Sequence, residues 1–476
     1  MNRRKSLLFT LCVLVFALAV VPAFAQAPTD VKVWVAFTDY RLDWAQQKAA
    51  IFNEMFPQYN VTVDGYANYE ELFSATALAA EQNALPAVVQ YFEVATQDAR
   101  DSGYFKSIAS ALGDRTEVNG VPVDLEDFIG PVSAYYTLDG EFTSMPWNTS
   151  SAIMFSNMNI LNAAGIDTPP ATWADVDAAC AAVMALDNAP EFCFTWPNHG
   201  WFFEQWVAQQ DAPLANNDNG RSARATEVML DSDAGIAVAS WLKDMMNKGY
   251  LYYSGAQGGS SWSTVDQAFQ TQQVAMAAYS SSDTAVYTQT GVDNGFDVVA
   301  SFLPYNQETG WAGNLIGGAS LWLVDGLSTE VEDGALTFLL WFANTNNAAE
   351  WHQVTGYIAI RQSSNDMLST ADWYATMEPT ASQVWKDNAL VQATQGTAWF
   401  DANPNFIVAA NQLAESQITV ATSGALLGAF PSIRNVITQA LDTILLTDAD
   451  PMATMVAASA EANQILEEYN LLNAPE

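Results

Sequence analysis

The sequence predicts an α/β fold, and two observations lead to this prediction. Between residues 31 and 92, short apolar runs alternate with longer segments of helical periodicity, and Pro57 stops the first of those segments. Half of the 476 residues are apolar and only 14% are charged, as is typical of a folded chain with ample core. Such alternation indicates βαβ units and a mostly parallel sheet.

The elements of this stretch are predicted from their periodicity and their end signals. Strands are expected at 31–37, 60–64 and 87–92, and helices at 42–56 and 69–81. Ligands of such sheets bind beyond the carboxyl ends of the strands. Tyr69 and Glu93 follow the second and third strands, so both are candidate site residues.

The alternation continues through the middle of the chain and then becomes chiefly helical. Thr172 is a predicted helix cap, with Asp175 at the third helical position, and Gly249 is a stop signal. The remaining predicted strands are at 151–155, 274–279 and 296–302. One helix is predicted to end at 164, and the other helices are predicted at 233–248, 264–270, 328–344, 372–377, 405–414, 433–445 and 451–469.

The first 25 residues have the three parts of an export signal. Three basic residues at 3–5 precede an apolar run at 7–21 and the small-x-small site Ala23-Phe-Ala25. The apolar run has about 15 residues, fewer than the roughly 20 needed to cross a bilayer, so cleavage is predicted rather than anchoring. We expect an exported chain that starts near Gln26 and is soluble in the periplasm or outside the cell.

The net charge of the chain restricts the kinds of molecule that it can bind. The chain has 53 acidic and 16 basic residues, and its net charge is −37. A surface this acidic argues against nucleic acid or anionic lipid as a partner. If the ligand is an anion, a local cation must hold it.

Enzymatic sites have little support in the sequence. The chain has only two histidines, His199 and His352, and no Gly-x-Ser-x-Gly turn, so a serine hydrolase or a histidine metal site is not indicated. We expect no catalytic residue, metal or cofactor. After the export signal two cysteines remain, Cys180 and Cys193, and the sequence leaves open whether they form a disulfide or stay as thiols.

Further candidate binding residues come from glycine-containing stretches and from one arginine. Gly317 and Gly318 precede an apolar run, so bare backbone can approach a ligand where a strand begins. Tyr357 follows Gly356 in a predicted loop, and Arg434 stands in a region poor in cations. An arginine fork suits a phosphate or carboxylate, although surface salt bridges are equally compatible with the pattern.

Aromatic residues crowd one segment between predicted helices, at 196–206. Such a cluster packs a core or offers a stacking surface for the C–H face of a polyol or sugar. Because proline, asparagine and glycine intervene, we predict a loop here and assign Trp201 to the lining of a cleft.

The order of motifs resembles the extracellular solute-binding proteins of ABC importers, and within them the sn-glycerol-3-phosphate-binding branch. The resemblance spans nearly the whole exported chain. Its most specific parts are Ile316-Gly-Gly-Ala-Ser-Leu-Trp322 and Glu350-Trp-His-Gln-Val-Thr-Gly-Tyr357. The other parts are Asn68-Tyr-Glu70, Phe92-Glu-Val94, Trp147-Asn-Thr-Ser150, 165–173, Ala275-Met276 leading to Ser280, and Pro431-Ser-Ile-Arg434.

The resemblance implies a two-lobed periplasmic-binding-protein fold of type II. Its ligand cleft lies between α/β lobes joined by crossover segments. The implied division is a signal peptide at 1–25, an N-terminal lobe at 26–146 plus 282–345, and a C-terminal lobe at 147–281 plus 346–476.

The implied ligand-binding residues follow from the matched motifs. Arg434 would grip a phosphate, and serine and tyrosine hydroxyls with the Gly318 N–H would complete its donor shell. Glu93 would accept hydrogen bonds from glycerol hydroxyls at the opposite end of the ligand. Including Trp201, the implied set is Tyr69, Glu93, Ser150, Trp201, Ser280, Gly318, Tyr357 and Arg434.

One departure concerns the aromatic wall. The family carries two tryptophans three residues apart, whereas this chain has Asn198 and Trp201, so Trp196 would have to replace the first. The implied function is that of an importer's receptor for sn-glycerol 3-phosphate or a glycerophosphodiester. The receptor is expected to be a monomer that serves a membrane permease. The alternatives are a receptor for neutral sugars, in which a protein carboxylate would pair with Arg434, and a secreted glycoside hydrolase.

Overall fold

The structure is a computed structural model that describes residues 27–473. The predicted export signal and its cleavage site lie outside these residues. The strands in chain order are β1 (Thr29–Val35), β2 (Tyr59–Gly65), β3 (Val88–Phe92), β4 (Phe105–Lys106), β5 (Glu117–Val118), β6 (Val121–Pro122), β7 (Thr137–Leu138), β8 (Glu141–Phe142), β9 (Met145–Ser150), β10 (Ala152–Asn157), β11 (Phe194–Thr195), β12 (Leu251–Tyr252), β13 (Met276–Ser280), β14 (Val298–Phe302) and β15 (Gly317–Val324).

Helices make up much of the rest of the described chain. In chain order they are α1 (Tyr40–Met55), α2 (Tyr69–Glu81), α3 (Thr96–Ser102), α4 (Ile108–Leu112), α5 (Gly130–Tyr136), α6 (Met158–Ala163), α7 (Trp173–Val183), α8 (Gly200–Gln209), α9 (Asn216–Gly220), α10 (Asp233–Asn247), α11 (Ser261–Gln270), α12 (Thr284–Asn294), α13 (Thr329–Phe342), α14 (Thr345–Thr355), α15 (Gln362–Leu368), α16 (Trp373–Met377), α17 (Gln383–Asp387), α18 (Ala389–Ala393), α19 (Trp399–Ala402), α20 (Val408–Glu415), α21 (Phe430–Leu446) and α22 (Pro451–Leu472).

Two sheets organise the two lobes. The first has the order β2-β1-β3-β15-β4, and β9 also pairs with β15. The second has the order β12-β11-β13-β10-β14. The α/β, two-lobed fold that the resemblance implies is therefore confirmed.

The expectation of a mostly parallel sheet is wrong. β1 pairs in parallel with β2 and β3, but β15 runs antiparallel to β3, β4 and β9. In the second sheet β10 is antiparallel to both β13 and β14. The reason is that several strands arrive from the other lobe, so they enter the sheet against the direction of the βαβ units.

The crossovers lie where consecutive strands change sheet. β9 ends at Ser150 in the first sheet and β10 starts at Ala152 in the second; residues 303–316 lead back from β14 to β15. Two predicted lobe boundaries disagree with this pairing. Residues 147–150 pair in the first sheet and residues 298–302 in the second, whereas the prediction assigned each to the other lobe. The predicted boundaries followed motifs, and a motif does not mark the residue at which a strand changes sheet.

The helix caps predicted from the sequence are present in the structure. The capping box of Thr172 and Asp175 is present at the start of α7, and the side chain of Asn68 caps α2, which places Tyr69 in the first turn. Cys180 on α7 and Cys193 form a disulfide, which settles the alternative that the sequence left open. Among residues 27–473, no helix combines the length and apolarity that a membrane crossing requires.

Candidate ligand-binding site

A cavity of about 330 Å³ lies between the two lobes. Its volume is at the lower end of the roughly 300–1,000 Å³ that is usual for small-molecule sites. The structure brings together all the residues that the resemblance implied, and each lines this cavity: Tyr69, Glu93, Ser150, Trp201, Ser280, Gly318, Tyr357 and Arg434. Their contacts with a ligand stay a prediction.

Tyr69 is held by a chain of amide side chains from the first sheet. Gln90 donates to the Asn148 Oδ1 at 2.8 Å, and the Asn148 Nδ2 donates to the Tyr69 hydroxyl at 2.7 Å. The ring of Tyr69 stacks on Phe92 with centroids 5.4 Å apart. Because the Tyr69 oxygen accepts from Asn148, its own proton can be donated to a ligand or to the neighbouring Tyr357 hydroxyl.

The paired glycines allow close contacts within the protein. Gly318 has φ +99°, and a Cβ there would lie 1.8 Å from the Asn148 carbonyl oxygen. A Cβ on Gly317 would lie 2.4 Å from the indole of Trp201. Bare backbone therefore lets β15 approach β9 and lets Trp201 pack on the strand. Ser150 is in register with Gly317, at the end of β9.

Trp201 is not in a loop, as the sequence analysis predicted, but in the first turn of α8. The imidazole of His199 caps that helix, which the local proline and glycine obscured. Trp196 packs against Trp206 and Tyr253 and does not line the cavity, so it does not replace the missing tryptophan. The second indole of the cavity comes instead from Trp262 on α11.

Arg434 is paired with two buried carboxylates. Its Nε donates to the Glu204 Oε1 at 2.6 Å, and its Nη2 donates to the Glu204 Oε2 at 2.8 Å and to the Glu93 Oε1 at 2.7 Å. All three side chains are at most 7% exposed. Two expectations are therefore corrected: Glu93 and Arg434 do not occupy opposite ends of the cavity, and Arg434 is not a free cation.

Arg434, Glu93 and Glu204 form an ion triad in which the arginine stays positively charged. Burial lowers the pKa of Arg434, but Glu204 and Glu93 raise it by more, so it stays protonated. Burial raises the pKa of the Glu204 carboxyl, and Arg434 offsets part of that rise. Among the described residues, the Arg434 Nη1 and the Glu93 Oε2 have no hydrogen-bond partner. A donor and an acceptor thus stand side by side, as a ligand hydroxyl requires.

A model of the family of bacterial extracellular solute-binding proteins matches residues 47–393. The chain belongs to this family. It is accordingly the extracellular solute-binding component of an ABC importer, which binds a small molecule and works with a membrane permease; proteins of this kind are not enzymes.

This solute-binding protein is similar along its length to characterised relatives. It is 26% identical over 472 residues to the sn-glycerol-3-phosphate-binding periplasmic protein UgpB of Escherichia coli K12, covering 98% of both chains. UgpB from Mycobacterium tuberculosis in complex with glycerophosphocholine superposes with a TM-score of 0.70 at 21% identity, covering 93% of this chain and 98% of that one. The GacH receptor of Streptomyces glaucescens, solved with acarbose, has a TM-score of 0.70 at 15% identity, covering 93% and 99%.

Three charged residues of the cavity, Arg41, Asp266 and Asp283, belong neither to the predicted site nor to the matched motifs. Arg41, in the first turn of α1, bonds Asp39 through its Nε at 3.0 Å and its Nη2 at 2.6 Å and lies 4.6 Å above the ring of Phe37. Asp266 and Asp283 line the same cavity, and the charge of Asp283 acts on Arg41. Burial and the carboxylate of Asp283 raise the pKa of Asp266 to about 7. No local motif marks these residues in a chain with so many acids.

Tyr357 is positioned by the helix that precedes it. Gly356, at φ +103°, ends α14, and the ring of Tyr357 stacks on Trp351 with centroids 5.5 Å apart. The Nδ1 of His352 lies 2.8 Å from the Tyr357 carbonyl oxygen, which requires a proton on that nitrogen. Burial lowers the pKa of His352 to about 4, so the imidazole is neutral at pH 7.

His352 is expected to make the solute-binding protein less stable in mild acid. In the unfolded chain His352 takes up a proton as the pH falls below its ordinary pKa of about 6.5. In the folded protein the imidazole takes it up only near its lowered pKa of about 4, so protonation between these values favours unfolding. The loss at pH 5 is about 2 kcal/mol relative to pH 7.5. Urea unfolding of the wild type and His352→Gln at both pH values measures it, because contributions from all other groups cancel in the difference. If the wild type and His352→Gln lost the same free energy of unfolding between pH 7.5 and pH 5, the lowered pKa of His352 would be contradicted.

Proposed function

We propose that this solute-binding protein captures a glycerophosphodiester or sn-glycerol 3-phosphate outside the cell and presents it to its membrane permease. The observation that carries the proposal is the polarity of the cavity. Its lining combines a paired carboxylate and guanidinium with several hydroxyl groups and a second arginine, and we assign these two sets to opposite ends of the ligand.

The Glu93–Arg434 pair forms the end that binds the glycerol hydroxyls. The Oε2 of Glu93 accepts from one hydroxyl, while the Nη1 of Arg434 donates to another. This assignment differs from that implied by the resemblance, which gave Arg434 to the phosphate. Two carboxylates already neutralise Arg434, so a phosphate placed there would face a net negative group.

The phosphate is assigned to the hydroxyl-rich end. Tyr69, Tyr357, Ser150 and Ser280 offer O–H donors there, and antiparallel pairing of Ala152 with Ser280 keeps the crossover beside β13. The positive charge comes from Arg41. Its bonded partner Asp39 is 43% exposed and screened by water, and burial raises the pKa of Asp283, the other carboxylate that acts on Arg41.

The acidic wall favours a diester over the monoester. Asp266 and Asp283 line the same cavity, together with Trp262 and Tyr279. A monoester carries nearly two negative charges, whereas a diester carries one and its head group can be a cation. A cationic head would be attracted by the carboxylates and by the aromatic faces.

A neutral sugar is the second candidate, because pairing of Arg434 with carboxylates is what such a receptor would require. Trp201 and Trp262 could stack on a sugar ring. The small volume and the additional arginine in the cavity favour the phosphodiester.

The proposed mechanism is closure of the lobes on the ligand. Glu93 follows β3 of the first sheet and Arg434 lies on α21 of the second lobe, so a ligand bound to this pair contacts both lobes. Such a ligand stabilises the closed arrangement by its differential contacts. We further propose that the chain is exported, acts as a monomer and catalyses no reaction.

Calorimetric titration with glycerophosphocholine, glycerol 3-phosphate and maltose tests the function. We expect binding of the two phosphate compounds, with glycerophosphocholine tighter, and no binding of maltose. Tyr69→Phe is expected to weaken both phosphate compounds about tenfold, because a hydrogen bond to a charged group is lost. Tyr374→Phe, on α16 and away from the cavity, is the matched control. Binding of maltose alone would refute the phosphate assignment.

A further inference from the structure

A second cavity, of about 320 Å³, lies on the other side of the ion triad. Glu93 lines both cavities, whereas Arg434 lines the first and Glu204 the second. The ion triad is therefore a wall between them. Apart from this wall, the second cavity is largely apolar, with Tyr135, Leu315, Leu413, Ile418 and Phe430 in its lining.

Arg221 gives this cavity a positive charge. The described arginines at 41, 100, 115, 224, 361 and 434 each form an ion pair with a carboxylate; Arg221 forms none. Its Nε donates to the Gly424 carbonyl at 2.7 Å, and its guanidinium lies 5.0 Å above the ring of Tyr135. Its Nη2 is buried without a hydrogen-bond partner in the described part of the chain.

A partly buried arginine without a carboxylate partner is unusual in a chain with 53 acidic residues, because such partners are abundant. Burial lowers the pKa of Arg221, and no carboxylate opposes that change. The charge is therefore complementary to an anion that the protein itself does not supply.

The backbone before Arg221 holds it in place. Asn217, Asp218 and Asn219 all have left-handed φ values, of 53°, 53° and 59°. The side chain of Asn219 accepts from the Leu214 and Ala215 N–H groups and donates to the Val420 carbonyl at 2.9 Å. Three successive left-handed residues are strained, and they persist only where the surroundings hold them.

We propose that the second cavity binds a small amphipathic monoanion, with its carboxylate on Arg221 and its apolar body against the aromatic and aliphatic walls. Arg221 attracts the carboxylate of the ligand, whereas Glu93 and Glu204 in the shared wall repel it and so direct it towards Arg221. The apolar lining excludes a polyol. The site is separate from the solute site, because the ion triad stands between the two cavities, and it does not depend on which solute the first cavity binds.

Octanoate is the probe, titrated by calorimetry into the full exported chain. We expect one octanoate per chain, and octan-1-ol, which has the same body without the charge, to bind at least tenfold more weakly. Arg221→Gln is expected to weaken octanoate at least tenfold and to leave glycerophosphocholine binding unchanged. Arg224→Gln, which removes an arginine paired with Asp101 instead, is the matched control.

Competition separates this site from the solute site. Octanoate binding is expected to persist in Tyr69→Phe and in the presence of saturating glycerophosphocholine. Absence of octanoate binding, equal binding of octan-1-ol, or displacement by glycerophosphocholine would each overturn the proposal. If Arg221→Gln does not fold, Arg221→Lys keeps the charge, and it must retain more octanoate affinity than Arg221→Met.

Discussion

Replacing Arg434 with alanine is expected to lower the free energy of unfolding by about 3–5 kcal/mol at pH 7.5. The substitution leaves Glu93 and Glu204, both nearly fully buried, without their shared cation. Removing one member of a buried ion pair is costly because the remaining charge is neither hydrated nor paired. Urea unfolding monitored by tryptophan fluorescence measures the loss.

Two comparisons separate this effect from a general loss of packing. Arg100→Ala removes an arginine whose partner, Asp139, is 78% exposed, and it is expected to cost less than about 1 kcal/mol. At pH 5 the penalty of Arg434→Ala should shrink, because the stranded carboxylates can take up protons. If Arg434→Ala lost the same free energy of unfolding at both pH values, the loss of side-chain packing, and not the stranded charge, would account for the effect.

The ion triad also marks the limit of sequence-based prediction for this fold. Arg434 was recognised as a site residue, but its partners lie 230 and 341 residues away along the chain. With 53 acidic residues available, the sequence cannot specify which of them meets one arginine. The position of Arg434 in the cavity was therefore predicted, but its pairing with Glu93 and Glu204 was not.

Features that depend on short-range chemistry were predicted well. The helix predicted at 69–81 spans Tyr69–Glu81, and the capping box at Thr172 is present, because both signals act within one helical turn. The cap at His199 was missed because histidine is not among the usual capping residues, and Trp201 was therefore placed in a loop. Strand direction and sheet membership depend on distant segments, as the assignment of β14 shows.

Arg41, Asp266 and Asp283 illustrate a second limit. Arg41 and Asp283 lie at helix starts and Asp266 lies within α11, in segments of ordinary surface composition, and only the approach of the two lobes brings them to one cavity. In the function proposed above, their charges favour a phosphodiester over a monoester or a neutral sugar. No local pattern distinguishes these residues, whereas the family motifs indicate the general location of the site.

Gly318→Ala is expected to lower the free energy of unfolding by about 4 kcal/mol, from two causes. Alanine is strained at φ +99°, and its Cβ would stand 1.8 Å from the Asn148 carbonyl oxygen, where only backbone could move. β9 must then separate from β15 at the crossover between the lobes. Unfolding in urea measures the loss of stability.

Gly310→Ala is the matched control for backbone strain. Gly310 has φ +80°, but a Cβ there would meet no atom within 4 Å, so only the conformational cost of about 1–2 kcal/mol is expected. The excess loss in Gly318→Ala then measures the forced separation of β9 from β15. Because Asn148 also holds the Tyr69 hydroxyl, this excess should be accompanied by at least a tenfold loss of glycerophosphocholine affinity. Equal losses of stability in the two variants, with affinity retained, would mean that close pairing at the crossover does not position the site.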